Sequence, residues 1–123
     1  MSVQSIVRLN AAATVNPRDW ELFKQMVAET KAIVASEGPD HVLTHECYFN
    51  PETYQCLIVE AYASEESFLH HLEQIRPLSE KYQVDWKIDR LELLGPYSPN
   101  VVEAMAQGVA PATFSLYQQS LQK

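Results

Sequence analysis

The fold of this chain is decided by the stretch Leu57-Ile58-Val59-Glu60-Ala61-Tyr62-Ala63-Ser64-Glu65-Glu66-Ser67-Phe68-Leu69-His70-His71-Leu72. A short apolar run is followed by a serine, two acidic residues and then apolar residues at helical spacing. Ser64 is a favourable N-cap, because its hydroxyl can accept a backbone N–H of the first turn. The acidic pair lies where the helix dipole favours negative charge. The stretch therefore predicts a strand that runs almost directly into an amphipathic helix.

The residues before this stretch predict a first strand and a first helix. Residues 5–14 are rich in apolar and small side chains and predict the strand. Asn16 as N-cap and Pro17 at the first helical position start the helix. Apolar residues at spacings of three and four then continue to Gly38, where we expect the helix to end.

The middle and the end of the chain predict a hairpin, a second helix and a last strand. Residues 41–49 and 54–63 form the hairpin, and apolar residues on both faces indicate a sheet covered on both sides. The second helix begins at Glu65, and Pro77 should kink it or start it again. Residues 84–94 form the last strand.

The turn of the hairpin is expected at residues 50–53, which places Cys47 directly opposite Cys56. Directly opposed residues lie near the distance that a disulfide accepts. Reduced thiols are nevertheless the default in the cytosol, so the sequence leaves open whether these two ever form a disulfide. In the same register, His41 faces Tyr62.

The element order βαββαβ within the first 95 residues is the ferredoxin-like split βαβ pattern of an α+β protein. We expect the first and third strands to be parallel neighbours, with both helices on one face of the sheet. The other face still carries apolar side chains, so a second copy is expected to cover it in a homodimer. Residues 1–123 thus form a single domain with a core at 3–95. The extension 96–123 should add a short helix to about Gln107 and a strand that pairs with a sheet edge, either its own or that of the partner copy.

The composition limits the class of partner. The formal net charge of −7 disfavours nucleic acid and anionic membrane surfaces. No apolar run approaches the roughly 20 residues of a transmembrane helix, and residues 1–5 lack the features of a secretory signal. We therefore expect a cytoplasmic protein.

The segment E-x-Y-x-S-E-x-x-F-x-x-H-L over residues 60–72 resembles the signature of the antibiotic-biosynthesis monooxygenase superfamily of dimeric α+β barrels. The resemblance covers about residues 3–95, and the C-terminal extension resembles that of a longer subgroup. It implies a dimeric α+β barrel. Members of the superfamily include cofactor-independent oxygenases of phenols or hydroquinones, haem-degrading proteins and non-catalytic proteins.

The resemblance also bears on haem. The haem-degrading members use an Asn on the first strand, a Trp at the end of the third and a His late in the second helix. Asn10 matches the Asn position and Tyr62 stands at the Trp position. No His lies between residues 77 and 82, so the axial ligand is missing and haem degradation is not expected.

We expect the ends of the strands to form a cleft that binds a planar phenol. The candidate catalytic residues are Asn10, Tyr62, His71 and His41, and the candidate substrate-binding residues are Trp86, Phe68, Glu60 and Arg90. Asn10 would orient the substrate oxygen, Tyr62 would donate to the ring or stack on it, and one histidine would accept the proton. Structural roles compete with these: Tyr62 as a core aromatic, Glu60 as a carboxylate paired with Arg8 or Arg90.

Three functions from different classes remain open. The first, which the resemblance favours, is a cofactor-independent monooxygenase acting on a small phenolic or quinol-type compound. The second is an isomerase or lactonase of a small carbonyl compound, and the third is a non-catalytic dimeric ligand-binding module. No flavin, haem, nucleotide or metal motif is present, so no cofactor and no metal are expected. His41 and His45 would lie about 13 Å apart along one strand, too far to share a metal ion.

Overall fold

The structure is a computed structural model that describes residues 5–106 and 108–117. Its elements are, in order, β1 (Val7–Val15), α1 (Trp20–Glu37), β2 (Val42–Asn50), β3 (Gln55–Tyr62), α2 (Glu65–Tyr82), β4 (Trp86–Leu94), α3 (Pro99–Met105) and β5 (Ala112–Phe114). A 3₁₀ turn at Pro17–Asp19 leads into α1, capped by the Asn16 side chain. The predicted α+β ferredoxin-like fold is confirmed, with the extra C-terminal helix and strand. Within the described residues, no helix is long and apolar enough to cross a membrane.

The five strands form one sheet in the order β2-β3-β1-β4-β5. β1 is antiparallel to both of its neighbours, β3 and β4. The first and third strands are therefore neighbours, as predicted, but the prediction that they are parallel is wrong. The crossover through α1 makes β1 and β2 point the same way, and the hairpin then reverses the chain before β3 is inserted between them. As a result Tyr62 lies beside Val7 at one end of β1, and Trp86 lies beside Val15 at the other.

The alternation of side chains along β1 separates the two faces of the sheet. Its buried residues are Val7, Leu9, Ala11, Ala13 and Val15, which point towards the helices. Their cross-strand partners on β3 are Tyr62, Glu60, Ile58 and Cys56. We call the opposite side, which includes Arg8, Asn10, Leu57 and Arg90, the open face of the sheet. The helix-covered side holds the core and every residue of the site described below.

The register of the hairpin differs from the predicted one by two residues. Phe49 pairs with Cys56, and His45 pairs with Glu60. The turn keeps the expected length of four residues but lies one residue later, at residues 51–54. It ends at Tyr54, which takes a left-handed conformation with φ of 61° that a bulky residue rarely adopts. Cys47 is therefore diagonal to Cys56 rather than directly opposite, and both cysteines are free thiols.

Helix α2 begins as predicted. The Ser64 hydroxyl accepts the backbone N–H of Ser67 at 3.2 Å. The helix then runs unbroken to Tyr82, so the restart considered at Pro77 does not occur. Pro77 lies on the exposed side of α2, where water can satisfy the carbonyl that loses its N–H donor.

The C-terminal extension pairs with its own sheet. β5 is parallel to β4, with Leu94 opposite Phe114, and the Gly95 N–H donates to the Phe114 carbonyl at 2.9 Å. The added strand is confirmed for residues 112–114. Gln107, the predicted end of the short helix, and residues 118–123 lie outside the described residues.

Candidate active site

A carboxylate and a phenol hydroxyl lie side by side on the helix-covered face of β3. Glu60 and Tyr62 are two residues apart, so both point towards the helices. The Tyr62 hydroxyl donates to Glu60 Oε1 at 2.6 Å. Burial raises the pKa of Glu60, and the hydrogen bond from Tyr62 opposes part of that rise. Burial and the neighbouring carboxylate raise the pKa of Tyr62, so its hydroxyl remains a donor at neutral pH.

His45 approaches the same carboxylate from β2. Its Nε2 lies 3.5 Å from Glu60 Oε2. Lys31 of α1 lies on the other side of the ring, with Nζ 3.2 Å from Nδ1, and also donates to the His45 carbonyl. Burial, then Lys31 and His71, lower the pKa of His45 to about 4. The imidazole is therefore neutral at neutral pH.

A second buried pair, His71 and Glu37, lies next to the first. His71 Nδ1 donates to Glu37 Oε1 at 2.9 Å, and the two side chains are 1% and 3% exposed. A carboxylate only accepts, so this bond assigns the proton to Nδ1. Nε2 of His71 has no hydrogen-bond partner in the described part of the chain. The His71 ring is 5.2 Å from that of His45 and 5.3 Å from that of Tyr62.

A cavity of about 160 Å³ lies between the sheet and the two helices, with mainly apolar walls. It is lined by Phe23, Met26, Val27 and Thr30 of α1, Ile75, Leu78 and Ser79 of α2, and His45, Cys47, Ile58, Glu60 and Trp86 of the sheet. Glu60, His45 and the thiol of Cys47 are the ionisable groups of this lining. An apolar cavity of about 150 Å³ can hold benzene, so this one accommodates a single aromatic ring.

The structure brings together part of the predicted site. Tyr62, Glu60 and His71 form one cluster, and Trp86 lines the adjoining cavity. Phe68 packs edge-on against Tyr62, with ring centroids 5.3 Å apart, as part of the core.

Three predicted residues lie elsewhere. Asn10 and Arg90 are on the open face, where both contact Glu92, at 3.4 Å each. His41 is exposed just before β2 and contacts the Ser67 hydroxyl at 3.2 Å. The structure does not bring these three residues together with Tyr62: Asn10 and Arg90 are on the opposite face of the sheet, and the exposed His41 side chain lies against Ser67 of α2. The same alternation rules out the pairing of Glu60 with Arg8 or Arg90.

Three features of the site were not predicted from the sequence: Glu37, Lys31 and the role of His45. His45 alternates with Cys47 and Phe49 on the inward face of β2, and this periodicity was the available signal. Glu37 and Lys31 carried no comparable signal, because the packing of α1 against the sheet decides what they contact.

Comparison with known proteins defines the fold. No protein-family model and no curated protein sequence matches this chain. Among solved structures, MupZ from Pseudomonas fluorescens is similar with a TM-score of 0.80 at 21% identity, over 99% of this chain and 93% of that one. A Caulobacter crescentus protein, named provisionally as an antibiotic biosynthesis monooxygenase, is similar with a TM-score of 0.62 at 18% identity. The match covers 77% of this chain and 92% of that one. A Bacteroides thetaiotaomicron protein with the same provisional name has a TM-score of 0.56 at 20% identity, over 76% and 89%.

These similarities show the class of fold, a ferredoxin-like α+β fold, which this chain has in common with MupZ and with two proteins named provisionally as antibiotic biosynthesis monooxygenases. The match to MupZ extends over nearly the whole chain, whereas the other two cover about three quarters of it. The C-terminal extension is thus a feature that this chain has in common with MupZ.

Proposed function

We propose that this protein is an enzyme that binds a single-ring phenol or quinol in the cavity between the sheet and the helices and oxidises it with molecular oxygen, without an organic cofactor. The observation that carries the proposal is an apolar cavity of one-ring size whose lining includes a largely buried carboxylate held by a phenol hydroxyl. The names of the fold relatives agree with such a reaction.

Glu60 is the base in this reaction. The substrate hydroxyl lies against Glu60 in the cavity and gives its proton to that carboxylate, which leaves an electron-rich phenolate among mainly apolar walls. Once Glu60 is protonated, the Tyr62 hydroxyl can donate to the phenolate oxygen instead. A donor placed at developing charge in a site without bulk water is an effective stabiliser of the transition state.

The atoms balance without a further reductant. When a phenol is converted to a quinone, one oxygen atom of O₂ enters the ring as the new carbonyl. The other oxygen atom leaves as water with the two hydrogens that the substrate loses. The protein has to supply the base, the donor and a pocket that excludes water.

A second reaction is supported by the pairing of Tyr62 with Glu60. Their oxygen atoms are 2.6 Å apart, so an acid adjoins the base that lines the cavity. Isomerisation or lactone opening of a small carbonyl compound needs such a pair and no oxygen. The non-catalytic binding module keeps the cavity but predicts no turnover.

Oxygen uptake separates these functions. A panel of single-ring phenols and hydroquinones, assayed with a metal chelator present, should include at least one that consumes oxygen. Glu60→Gln should lower that rate by roughly 10²–10⁴, the usual contribution of a positioned base. Glu92→Gln, which changes a carboxylate on the open face, is the matched control and should retain the rate.

Other results would change the assignment. Product formation from carbonyl compounds under anaerobic conditions would favour the second reaction. Saturable binding of the panel with no turnover under either condition would favour the binding module. Equal losses in the Glu60 and Glu92 variants would contradict the proposed site.

A further inference from the structure

Three side chains of the site present ligand atoms of the kind that bind transition metals. His45, Glu60 and His71 each offer one nitrogen or oxygen, and these three atoms all lie within 4.8 Å of one another. Two imidazoles and one carboxylate suit zinc and ferrous iron. These three residues come from β2, β3 and α2, so they do not form a sequence motif that would predict a metal site.

Two of the three ligands are oriented by a further side chain. Glu37 accepts from His71 Nδ1 at 2.9 Å, which leaves Nε2 buried without a partner in the described part of the chain. The Tyr62 hydroxyl occupies Glu60 Oε1, which leaves Oε2 facing His45 Nε2 at 3.5 Å. Carboxylate-to-histidine bonds of this kind fix the ring and the tautomer at metal sites.

We propose that His45 Nε2, His71 Nε2 and Glu60 Oε2 form a binding site for one divalent transition-metal ion, with Glu37 holding His71 in place. Ligands about 2.0–2.1 Å from a tetrahedral ion lie about 3.4 Å apart. The 3.5 Å between His45 and Glu60 already meets that distance. The wider separations, up to 4.8 Å, shorten when the ion binds.

The ammonium group of Lys31 disfavours metal binding at His45, so replacing Lys31 is a test of the site. Its ammonium donates towards His45 Nδ1 at 3.2 Å, whereas an ion on Nε2 requires the ring proton on Nδ1. Metal binding therefore breaks the hydrogen bond from Lys31 to the His45 ring, while the bond from Lys31 to the His45 carbonyl can remain. Removing the Lys31 charge should therefore strengthen metal binding.

The ion and the substrate proton compete for the same oxygen of Glu60. The site therefore goes beyond the proposed function, as an inhibitory site for the metal-free reaction. The metal site is tested by measuring metal binding, and the proposed oxidation is tested by measuring turnover. A negative result in one measurement therefore does not decide the other.

The experiment is titration of the chelator-treated protein with Co²⁺, followed by its visible absorption, and with Zn²⁺ by calorimetry. The expected result is one ion per chain with a Co²⁺ spectrum of nitrogen and oxygen ligands. His71→Asn should abolish binding, and Glu37→Gln should weaken it by roughly 10–100-fold. His70→Asn changes the neighbouring, exposed histidine and should leave binding unchanged.

Lys31→Met keeps the proposal testable if the His71 variant fails to fold, because tighter binding in a folded variant supports the site. Absence of Co²⁺ and Zn²⁺ binding by the wild-type protein at 100-fold molar excess would overturn the proposal. Binding lost equally in the His70 and Glu37 variants, or unchanged in both Glu37→Gln and Lys31→Met, would place the ion elsewhere and would overturn it as well.

Discussion

At Tyr62, one hydroxyl holds the carboxylate that we propose as the base. Tyr62→Phe removes the donor to Glu60 and to the developing phenolate, so kcat should fall by roughly 10²–10³ while KM changes little. Tyr48→Phe is a matched control, because its exposed hydroxyl donates to Glu46 Oε1 at 2.8 Å on the open face. A Tyr62→Phe enzyme with the wild-type kcat would contradict this role.

Gly95 is a residue where the backbone excludes any side chain. Its φ is +113°, and an added Cβ would lie 2.6 Å from the Ile6 carbonyl oxygen. Backbone strain alone costs about 1–3 kcal/mol for a residue with a side chain in this conformation. Gly95→Ala should lower the free energy of unfolding in urea by more than that, because the added carbon also collides with Ile6. Gly38→Ala is the control, since Gly38 also has a positive φ but nothing within 4 Å of the added carbon. Equal losses in the two variants would show that the contact with Ile6 is unimportant.

The residue types in the sequence predicted some of the site residues, but they could not show which of the candidates lie together. Asn10 and Tyr62 stood out in the sequence because both stand at positions that the resemblance assigns to a site. Tyr62 does lie in the cluster with Glu60 and His71, whereas Asn10 lies on the open face beside Glu92. The identity of a residue does not reveal its face when both faces of a strand carry mixed side chains.

At the scale of elements, capping residues and periodicity predicted the helices and strands well. The direction of strand pairing and the register of the hairpin were predicted wrongly. Ser64 marks the start of α2 and Asn16 marks the start of the 3₁₀ turn that leads into α1, because capping depends on neighbours in sequence. The hairpin register depends on the turn, and Tyr54 at positive φ could not be foreseen from its residue type. A shift of two residues preserves the faces of both strands, but it brings His45 to Glu60.

The pairing of β5 with β4 supports a prediction for the tail. Ending the chain at Gly108 removes the partner of Glu92, Leu93 and Leu94 and should lower the melting temperature. Ending it at Tyr117 keeps β5 and should have a much smaller effect. Amides of residues 112–114 that exchange as fast as those of an unfolded chain would contradict the pairing.

At the scale of the whole molecule, the open face supports the predicted homodimer. Leu57 and Tyr48 pair across the hairpin on this face and are 49% and 55% exposed, which favours an interaction surface. Light scattering behind a sizing column should give twice the chain mass. Leu57→Asp should halve it, because a two-fold interface buries both copies of the charge.

Leu69→Asp is the matched control for the dimer, since Leu69 is 39% exposed but lies on α2. It should leave the mass unchanged. A folded wild-type monomer at micromolar concentration would contradict the predicted dimer.

The central claim is that a one-ring ligand binds between the sheet and the helices rather than on the open face. Amide and indole chemical shifts, followed by NMR during titration with p-cresol, test it without knowledge of the substrate. The expected shifts lie at Val27, Ile58 and Leu78 and at the Trp86 indole, all of which line the cavity. Shifts confined to Asn10, Leu57 and Arg90 would contradict the account.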